Sequence, residues 1–287
     1  MKYSILSIII VIAISLNIYA QDVRSVDIEY TYIAPETMAP TVAKRIALER
    51  AQLQAIINEF HTTYNQSNFT VIDSKQEDEI TFKSYLTSDI SGEWIATTKE
   101  PTYSIELIDN LQKVTVCISG KVREIPKSRA QIDLILCNNT STPYHTTTFH
   151  NGESLFLKCR SSLDGYTMVF IEDEDGNVLR LLPFSTNNGS CHKIKKGEEY
   201  TFFMDRNDAH DLNLIGGESI SISASHDNEL NILSFIYSPT LINQPIYDNN
   251  ASAFETIPSS RFQKWISKLR ASNPELIVKQ TPIIIKL

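Results

Sequence analysis

The chain has 287 residues, of which 42% are hydrophobic and 21% are charged, and its net charge at pH 7 is −8. This composition is typical of a globular protein with one large or two ordinary domains, and it argues against a disordered chain. An acidic chain repels phosphate backbones, so the composition argues against nucleic acid as a partner.

The first twenty residues have the pattern of a secretory signal peptide. Lys2 supplies a positive charge, Ile5–Ile18 is almost unbroken apolar sequence, and Ala20 precedes the polar Gln21. An apolar stretch of about 14 residues is too short to span a bilayer comfortably, which favours export over a membrane anchor. We predict cleavage between Ala20 and Gln21 and a periplasmic or cell-surface location. No later segment has the length and apolarity of a transmembrane helix, so none is predicted in the mature chain.

Residues 21–126 are predicted to form a small α+β domain, with one helix on an antiparallel sheet. The first strand is expected at Val23–Ile33, where alternation places Val26, Ile28 and Tyr30 on one face. Pro35 and Pro40 follow this strand. Apolar residues at helical spacing then predict a helix over residues 41–60, with Thr41 as its N-cap.

Two further strands complete this predicted domain. Trp94–Ile108 and Val114–Ile125 have strand character, and residues 109–112 between them are expected to form a hairpin turn. Gly120, between Ser119 and Lys121, suggests a bulge in the second of these strands. Pro126-Lys127-Ser128 is the predicted domain boundary.

Residues 130–287 are predicted to form a mainly antiparallel β-sandwich with a C-terminal helix. Short strands separated by Gly and Asp-Gly turns are typical of sandwiches and barrels. The predicted strands cover residues 132–137, 154–160, 166–172, 178–182, 192–195, 199–203, 219–225, 231–237, 276–278 and 283–287. Residues 138–148 are predicted to be a polar loop.

The helix near the end of the chain has a clear apolar face. Ser260 is its expected N-cap and Pro274 is expected to end it. The residues predicted on its buried face are Phe262, Trp265, Ile266 and Leu269. Pro282 is expected to place the last strand at an edge, because proline lacks a backbone N–H donor.

The four cysteines are Cys117, Cys137, Cys159 and Cys191. An even number in an exported chain allows two disulfides, with three possible connectivities. Cys159 and Cys191 are the first candidate pair, because both lie in one predicted domain and would close a loop of about 30 residues. The favoured alternative is free buried thiols, since Cys159 continues the apolar alternation of the preceding strand.

Catalytic and metal-binding motifs are mostly absent from the sequence. One candidate metal site is the group Asp205, Asp208, His210 and Asp211, whose side chains could gather around a cation, but a solvated loop of turn-forming residues is the favoured interpretation. The acidic stretch 172–177 is better explained by an Asp-Gly hairpin turn than by a calcium loop.

Ser190 and Lys193 match S-x-x-K without its companion motifs. Cys191 and His192 are neighbours on a predicted strand and should point to opposite faces. We therefore predict no catalytic residue and no cofactor.

Several segments of the second predicted domain resemble the bacterial domain of unknown function 4384, in the exported form typical of Bacteroidetes. The matching segments are 153–157, Leu163–Phe170, Gly176–Pro183, Lys196–Tyr200, 229–231 before Ser238-Pro239, and Phe262–Ile266. The most specific of the matching motifs are Asp164-Gly165-Tyr166 and Leu181-Leu182-Pro183. The chain departs from the family pattern at Gly152-Glu153, where the family usually has Gly-Asp. Residues 21–126 resemble the N-domains of flagellar-assembly proteins and surface lipoproteins. These resemblances imply an envelope or secreted accessory protein and no assigned activity.

Three functions remain open from the sequence. The leading hypothesis is a non-catalytic, envelope-associated binding or scaffold protein whose partner is an envelope protein or a glycan. The alternative is an envelope hydrolase acting on peptide or glycan, because paired carboxylates can come from distant positions. The third is a metal-binding module centred on Asp208 and His210.

Overall fold

A computed structural model describes residues 23–60, 92–108, 111–141, 143–183, 191–205, 214–217, 219–247 and 256–287. These residues form fifteen strands and two helices, so the fold is β-rich, as predicted. The signal peptide and its cleavage site at Ala20-Gln21 lie outside the described residues and stay predictions.

The first part of the chain forms a three-stranded antiparallel sheet with a helix on one face. The elements are β1 (Val23–Pro35), α1 (Pro40–Phe60), β2 (Gly92–Ile108) and β3 (Leu111–Glu124), and the strand order is β1-β3-β2. The predicted alternation in β1 is confirmed, since its even-numbered side chains face the helix and its odd-numbered ones are exposed.

Helix α1 approaches the sheet closely because its contact face is built from alanines. Ala43, Ala47 and Ala51 are buried in one hydrophobic cluster with β1 and β3 side chains such as Tyr32 and Val116. The helix starts one residue earlier than predicted, at Pro40, so the expectation that Thr41 is the N-cap was wrong. Proline suits the first helical turn because its missing N–H would have no intrahelical partner there.

The irregularity in the hairpin lies on β2, whereas a bulge was predicted at Gly120 of β3. The β1–β3 register runs without a break, and the β2–β3 register shifts three times between Trp94 and Thr102. Gly120 instead makes room for an aromatic ring, because a Cβ at this position would lie 2.0 Å from Cζ2 of Trp94. The turn is also shorter than predicted, since β3 already begins at Leu111.

The remaining strands form two sheets. The five-stranded sheet has the order β11-β10-β6-β12, with β4 also paired to β6, and the seven-stranded sheet has the order β14-β8-β7-β13-β15-β5, with β9 paired to β7. The strand bounds are β4 Ile132–Cys137, β5 Thr148–His150, β6 Ser154–Ser161, β7 Gly165–Glu172, β8 Asn177–Leu182, β9 His192–Ile194, β10 Glu199–Asp205, β11 Leu214–Gly217, β12 Ile220–Ser221, β13 Glu229–Ser238, β14 Thr256–Pro258 and β15 Ile277–Lys286.

Both sheets contribute side chains to one hydrophobic cluster. Leu157 and Phe202 come from the five-stranded sheet, and Phe235 and Ile283 come from the seven-stranded sheet. Most pairings are antiparallel, but β10 with β11 and β15 with β5 are parallel. The two sheets therefore share one hydrophobic core.

Local contacts explain why the sequence has Asp164 followed by Gly165. The Oδ1 atom of Asp164 accepts a hydrogen bond from the backbone N–H of Lys196 at 2.7 Å. The hydroxyl of buried Tyr237 donates to the carbonyl of Asp164 at 3.0 Å. Gly165 lies under the same ring, and a Cβ there would be 2.4 Å from Cε2 of Tyr237. A side chain at position 165 would therefore displace the ring.

The second helix, α2 (Ser259–Ser272), covers the other face of the seven-stranded sheet. Phe262 and Ile266 are buried and Trp265 and Leu269 pack against the same cluster, as predicted. The predicted N-cap was wrong: Ser260 lies inside the helix, and Pro258 is the N-cap residue without a side-chain hydrogen bond.

Several strand predictions needed correction. The two predicted closing strands are a single strand, β15, in which Pro282 pairs with Ile232 of β13. The expectation that Pro282 places this strand at an edge was wrong, because β15 lies between β13 and β5, although β5 pairs only with residues 284–286 beyond the proline. Of the predicted strand 219–225 only Ile220–Ser221 pairs, and β5, β11 and β14 had not been predicted. These three strands are only three or four residues long, and such short segments carry too little periodicity to be recognised.

No described helix combines the length and apolarity that crossing a bilayer requires.

Candidate binding surface

The face of the three-stranded sheet opposite α1 carries a groove of about 330 Å³. All three strands line it, with the apolar Ile28 and Ile118 at its floor beside the side chains of Asp27 and Glu29 of β1, Lys99, Glu100 and Thr102 of β2, and Cys117 and Ser119 of β3. We call this surface the sheet groove. It is exposed because the odd positions of β1 point away from the helix and its apolar core.

Side chains inside the sheet groove interact across strands. The hydroxyl of Ser119 donates to Oδ1 of Asp27, and Nζ of Lys99 lies 4.0 Å from the same carboxylate oxygen. The hydroxyls of Thr31 and Thr115 are 2.9 Å apart just beyond it. The sheet groove thus presents carboxylates, hydroxyls and one ammonium group on a β-scaffold.

Cys117 is an exposed thiol in the sheet groove, but it is not activated. Its Sγ lies 3.5 Å from Oε2 of Glu29. Desolvation raises the pKa of the Cys117 thiol, and the hydrogen bond to the Glu29 carboxylate and its negative charge raise this pKa further. Because the thiolate is the reactive species, this environment disfavours nucleophilic chemistry.

The reactivity of Cys117 gives a direct test of this arrangement. Replacing Glu29 with Gln should lower the pKa of the thiol and increase the rate of alkylation by iodoacetamide near pH 8, because a nearby negative charge disfavours the thiolate. Glu106→Gln, on the same face near the hairpin tip, is the control. Equal alkylation rates in wild type and the Glu29 variant would contradict the assigned contact.

The predicted acidic loop contributes no site to the described structure. Asp205 ends β10, whereas Asp208, His210 and Asp211 lie outside the described residues. Within the part of the chain that is described, no group of three or more His, Cys, Asp or Glu side chains could hold a metal ion.

Cys191 and His192 do point in different directions. Cys191 packs against the cluster beneath α2, whereas the ring of His192 contacts the rings of Tyr200 and Phe202 in the core between the sheets. Burial lowers the pKa of His192, so the neutral imidazole is favoured. These two residues therefore form no nucleophile–base pair.

The acidic stretch around residue 174 is a hairpin turn. The Oδ1 atom of Asp173 accepts a hydrogen bond from the backbone N–H of Asn177 at 2.8 Å, and Gly176 adopts a positive φ of 79°. Glu174 turns away from this loop and contacts Nε2 of His226 and the backbone N–H of Leu230. This geometry is a β-turn in which the Asp173 and Glu174 carboxylates accept hydrogen bonds from the chain's own donors.

No disulfide joins any of the four cysteines, all of which lie within the described residues. Cys159 lies in the core between the sheets and Cys191 packs against the cluster under α2, so the candidate pair is divided between two clusters. Burial raises the pKa of Cys159 to about 12. Titration of the denatured, unreduced protein should find four thiols per chain, and a count of two or none would restore the disulfide.

No protein-family model matches this chain, and a search of curated proteins found no match. The resemblance to the domain of unknown function 4384 is therefore a prediction from the residues quoted above.

Proposed function

We propose that this chain is an exported, non-catalytic binding or scaffold protein of the cell envelope, and that the sheet groove is its binding surface. The observation that supports this most directly is the groove itself: polar side chains of three strands converge on one open face. Binding surfaces that recognise polar ligands need a concave shape with a few fixed polar groups.

The chemistry of the sheet groove suits a hydroxyl-rich or cationic ligand. Asp27, Glu29 and Glu100 supply acceptors, and Lys99 and Thr102 supply donors. A glycan or a polar segment of an envelope protein offers the complementary groups. Rigid strands hold the acceptors in fixed positions, which reduces the ordering cost of binding.

The experiment is an affinity capture of envelope proteins and glycans with wild-type protein and the double variant Asp27→Asn/Glu29→Gln. We expect the double variant to lose at least about tenfold in affinity, because several charged hydrogen bonds are removed. Glu49→Gln on α1 is the matched control, since Glu49 is an exposed carboxylate on the opposite side of the sheet. Turnover of a peptide or glycan by the purified protein, with nothing retained, would instead favour the envelope hydrolase.

We also propose the two-domain division, residues 21–126 and 130–287, with a linker held by Glu275. The Glu275 carboxylate accepts hydrogen bonds from the backbone N–H and Nε of Arg129 and from the hydroxyl of Ser128. The hydrogen bond from the backbone of Arg129 is the largest cause of the lowered pKa of Glu275.

Limited proteolysis tests this linker. The pKa of Glu275 is lower in the folded chain than in the unfolded chain. The ionised carboxylate therefore stabilises the folded chain at pH values above the unfolded pKa, and this stabilisation is lost as the pH falls through the lower folded pKa. Glu275→Gln should therefore increase tryptic cleavage after Lys127 and Arg129 at pH 8, with Glu199→Gln as an exposed control. Cleavage concentrated within residues 155–203 would contradict the division.

A further inference from the structure

The edge strand β2 exposes apolar side chains on the side of the sheet that α1 covers. Ile105 is 39% exposed and Leu107 is 69% exposed. Their cross-strand partners on β3 are Val114 and Gln112, which are both buried, so Ile105 and Leu107 point toward the helix side. Helix α1 packs over β1 and β3 and leaves this end of β2 uncovered.

The same segment is a regular strand with a free pairing edge. The register of β2 with β3 is continuous from Thr102 to Ile108, and all the irregularities lie before Thr102. Within the described residues β2 pairs only with β3. An exposed, regular and apolar edge strand is a template for pairing with another strand.

We propose that β2 pairs with β2 of a second copy of this chain, antiparallel and centred on Ile105. In this register Ile105 lies opposite the partner's Ile105, and Tyr103 lies opposite the partner's Leu107. On the other face Ser104 lies opposite the partner's Glu106, so no like charges meet. Both exposed apolar side chains are then covered by apolar partners.

Neighbouring registers are less favourable. Centring the pair on Glu106 places two carboxylates directly opposite each other, and centring it on Tyr103 places Glu106 opposite the partner's Glu100. Opposed like charges destabilise a strand pair. Centring it on Ser104 places Leu107 opposite the partner's Pro101, which lacks a backbone donor. If β1, the other edge strand of this sheet, paired with β1 of a second copy over its full length, Glu29 would lie opposite the partner's Glu29.

The two-fold axis of such a pair is perpendicular to the sheet. The two three-stranded sheets become one continuous sheet, and both α1 helices lie on the same face. Ile105 and Leu107 from the two copies then fill the seam between the helices. The pairing is isologous, because the same patch is used by both copies, and it leaves the sheet groove of each copy on the opposite face.

A pair of opposite substitutions at one position tests the register. Ser104→Lys should tighten the dimer, because each lysine faces the partner's Glu106, and Ser104→Glu should weaken it by about fivefold or more. Sedimentation velocity over a concentration series measures both dissociation constants. Ser104 is exposed and lies opposite the uncharged Thr115 in its own sheet, and the chain's own Glu106 lies two positions along the same face of β2 in both variants.

Disulfide trapping provides an independent readout in a Cys117→Ser background, which removes the native exposed thiol. Ile105→Cys should form a covalent dimer on mild oxidation, since directly opposed residues have a Cα separation of about 4.5–5.5 Å. Leu107→Cys is the control, because the two copies of residue 107 are about 13 Å apart in this register. A monomer at every concentration, equal effects of the two Ser104 variants, or equal trapping at 105 and 107 would overturn the proposal.

Discussion

Glu93→Ala is expected to lower the free energy of unfolding by about 3–5 kcal/mol, because it removes the carboxylate that forms a buried ion pair with Arg123. The Glu93 and Arg123 side chains are 9% and 10% exposed and form a direct ion pair between β2 and β3. The second carboxylate oxygen of Glu93 accepts a hydrogen bond from Nη1 of Arg270 in α2 at 3.4 Å. A single carboxylate therefore compensates two guanidinium groups.

This cluster also connects the first sheet to the helix near the end of the chain. Nη2 of Arg123 donates to the backbone carbonyl of Ser267 at 3.1 Å. Desolvation lowers the pKa of Arg270, and the charge of Glu93 opposes that effect. Loss of Glu93 should thus weaken the contact between sheet and helix in addition to the sheet itself.

Urea denaturation followed by tryptophan fluorescence measures the effect, since Trp94 lies next to Glu93. The matched control is Glu49→Ala, which removes the exposed carboxylate that pairs with Arg45 at i,i+4 on α1. We expect a change within about 0.5 kcal/mol for that control. Equal destabilisation by the two variants would show that the Glu93 cluster does not stabilise the fold.

Phe262→Ala is expected to destabilise residues 130–287 by about 3–5 kcal/mol, because a fully buried aromatic ring is lost and a cavity remains. The Phe262 ring centroid lies 5.0 Å from that of Phe170 on β7 and 5.6 Å from that of Trp265. Lys264→Ala on the exposed face of α2 is the control, with an expected change within about 0.5 kcal/mol.

The number of transitions in this experiment distinguishes two architectures. If residues 21–126 unfold independently, Phe262→Ala should shift one calorimetric transition and leave the other in place. If the two parts form one cooperative unit, a single transition should move. A shift as small as that of the Lys264 variant would mean that α2 is only loosely attached to the seven-stranded sheet.

The elements predicted correctly from the sequence are those whose pattern is local. Strand β1 alternates cleanly because one face is covered by α1 and the other is exposed, and the Asp-Gly turn at 175–176 is specified by its own residues. The apolar face of α2 was predicted correctly for the same reason, since Phe262 and Ile266 are one helical turn apart.

The features that sequence reasoning missed depend on pairing between distant segments. Gly120 gave a bulge signal, but its reason is the ring of Trp94 on another strand, which no local pattern reveals. The continuity of β15 through Pro282 depends on its pairing with β13. The sheet groove was missed because Lys99 and Glu100 reach it through the irregular part of β2, where alternation fails to indicate the face.

The contact between Glu93 and Arg270 spans 177 residues of sequence, which has a consequence for the order of assembly. During synthesis from the N-terminus, the first sheet can pair its strands well before α2 emerges. Until then Arg123 and Glu93 meet water on a face that α2 later covers. Docking of α2 onto that face therefore comes after the first sheet has formed, and a chain stalled before residue 259 would carry a paired but uncovered ionic surface.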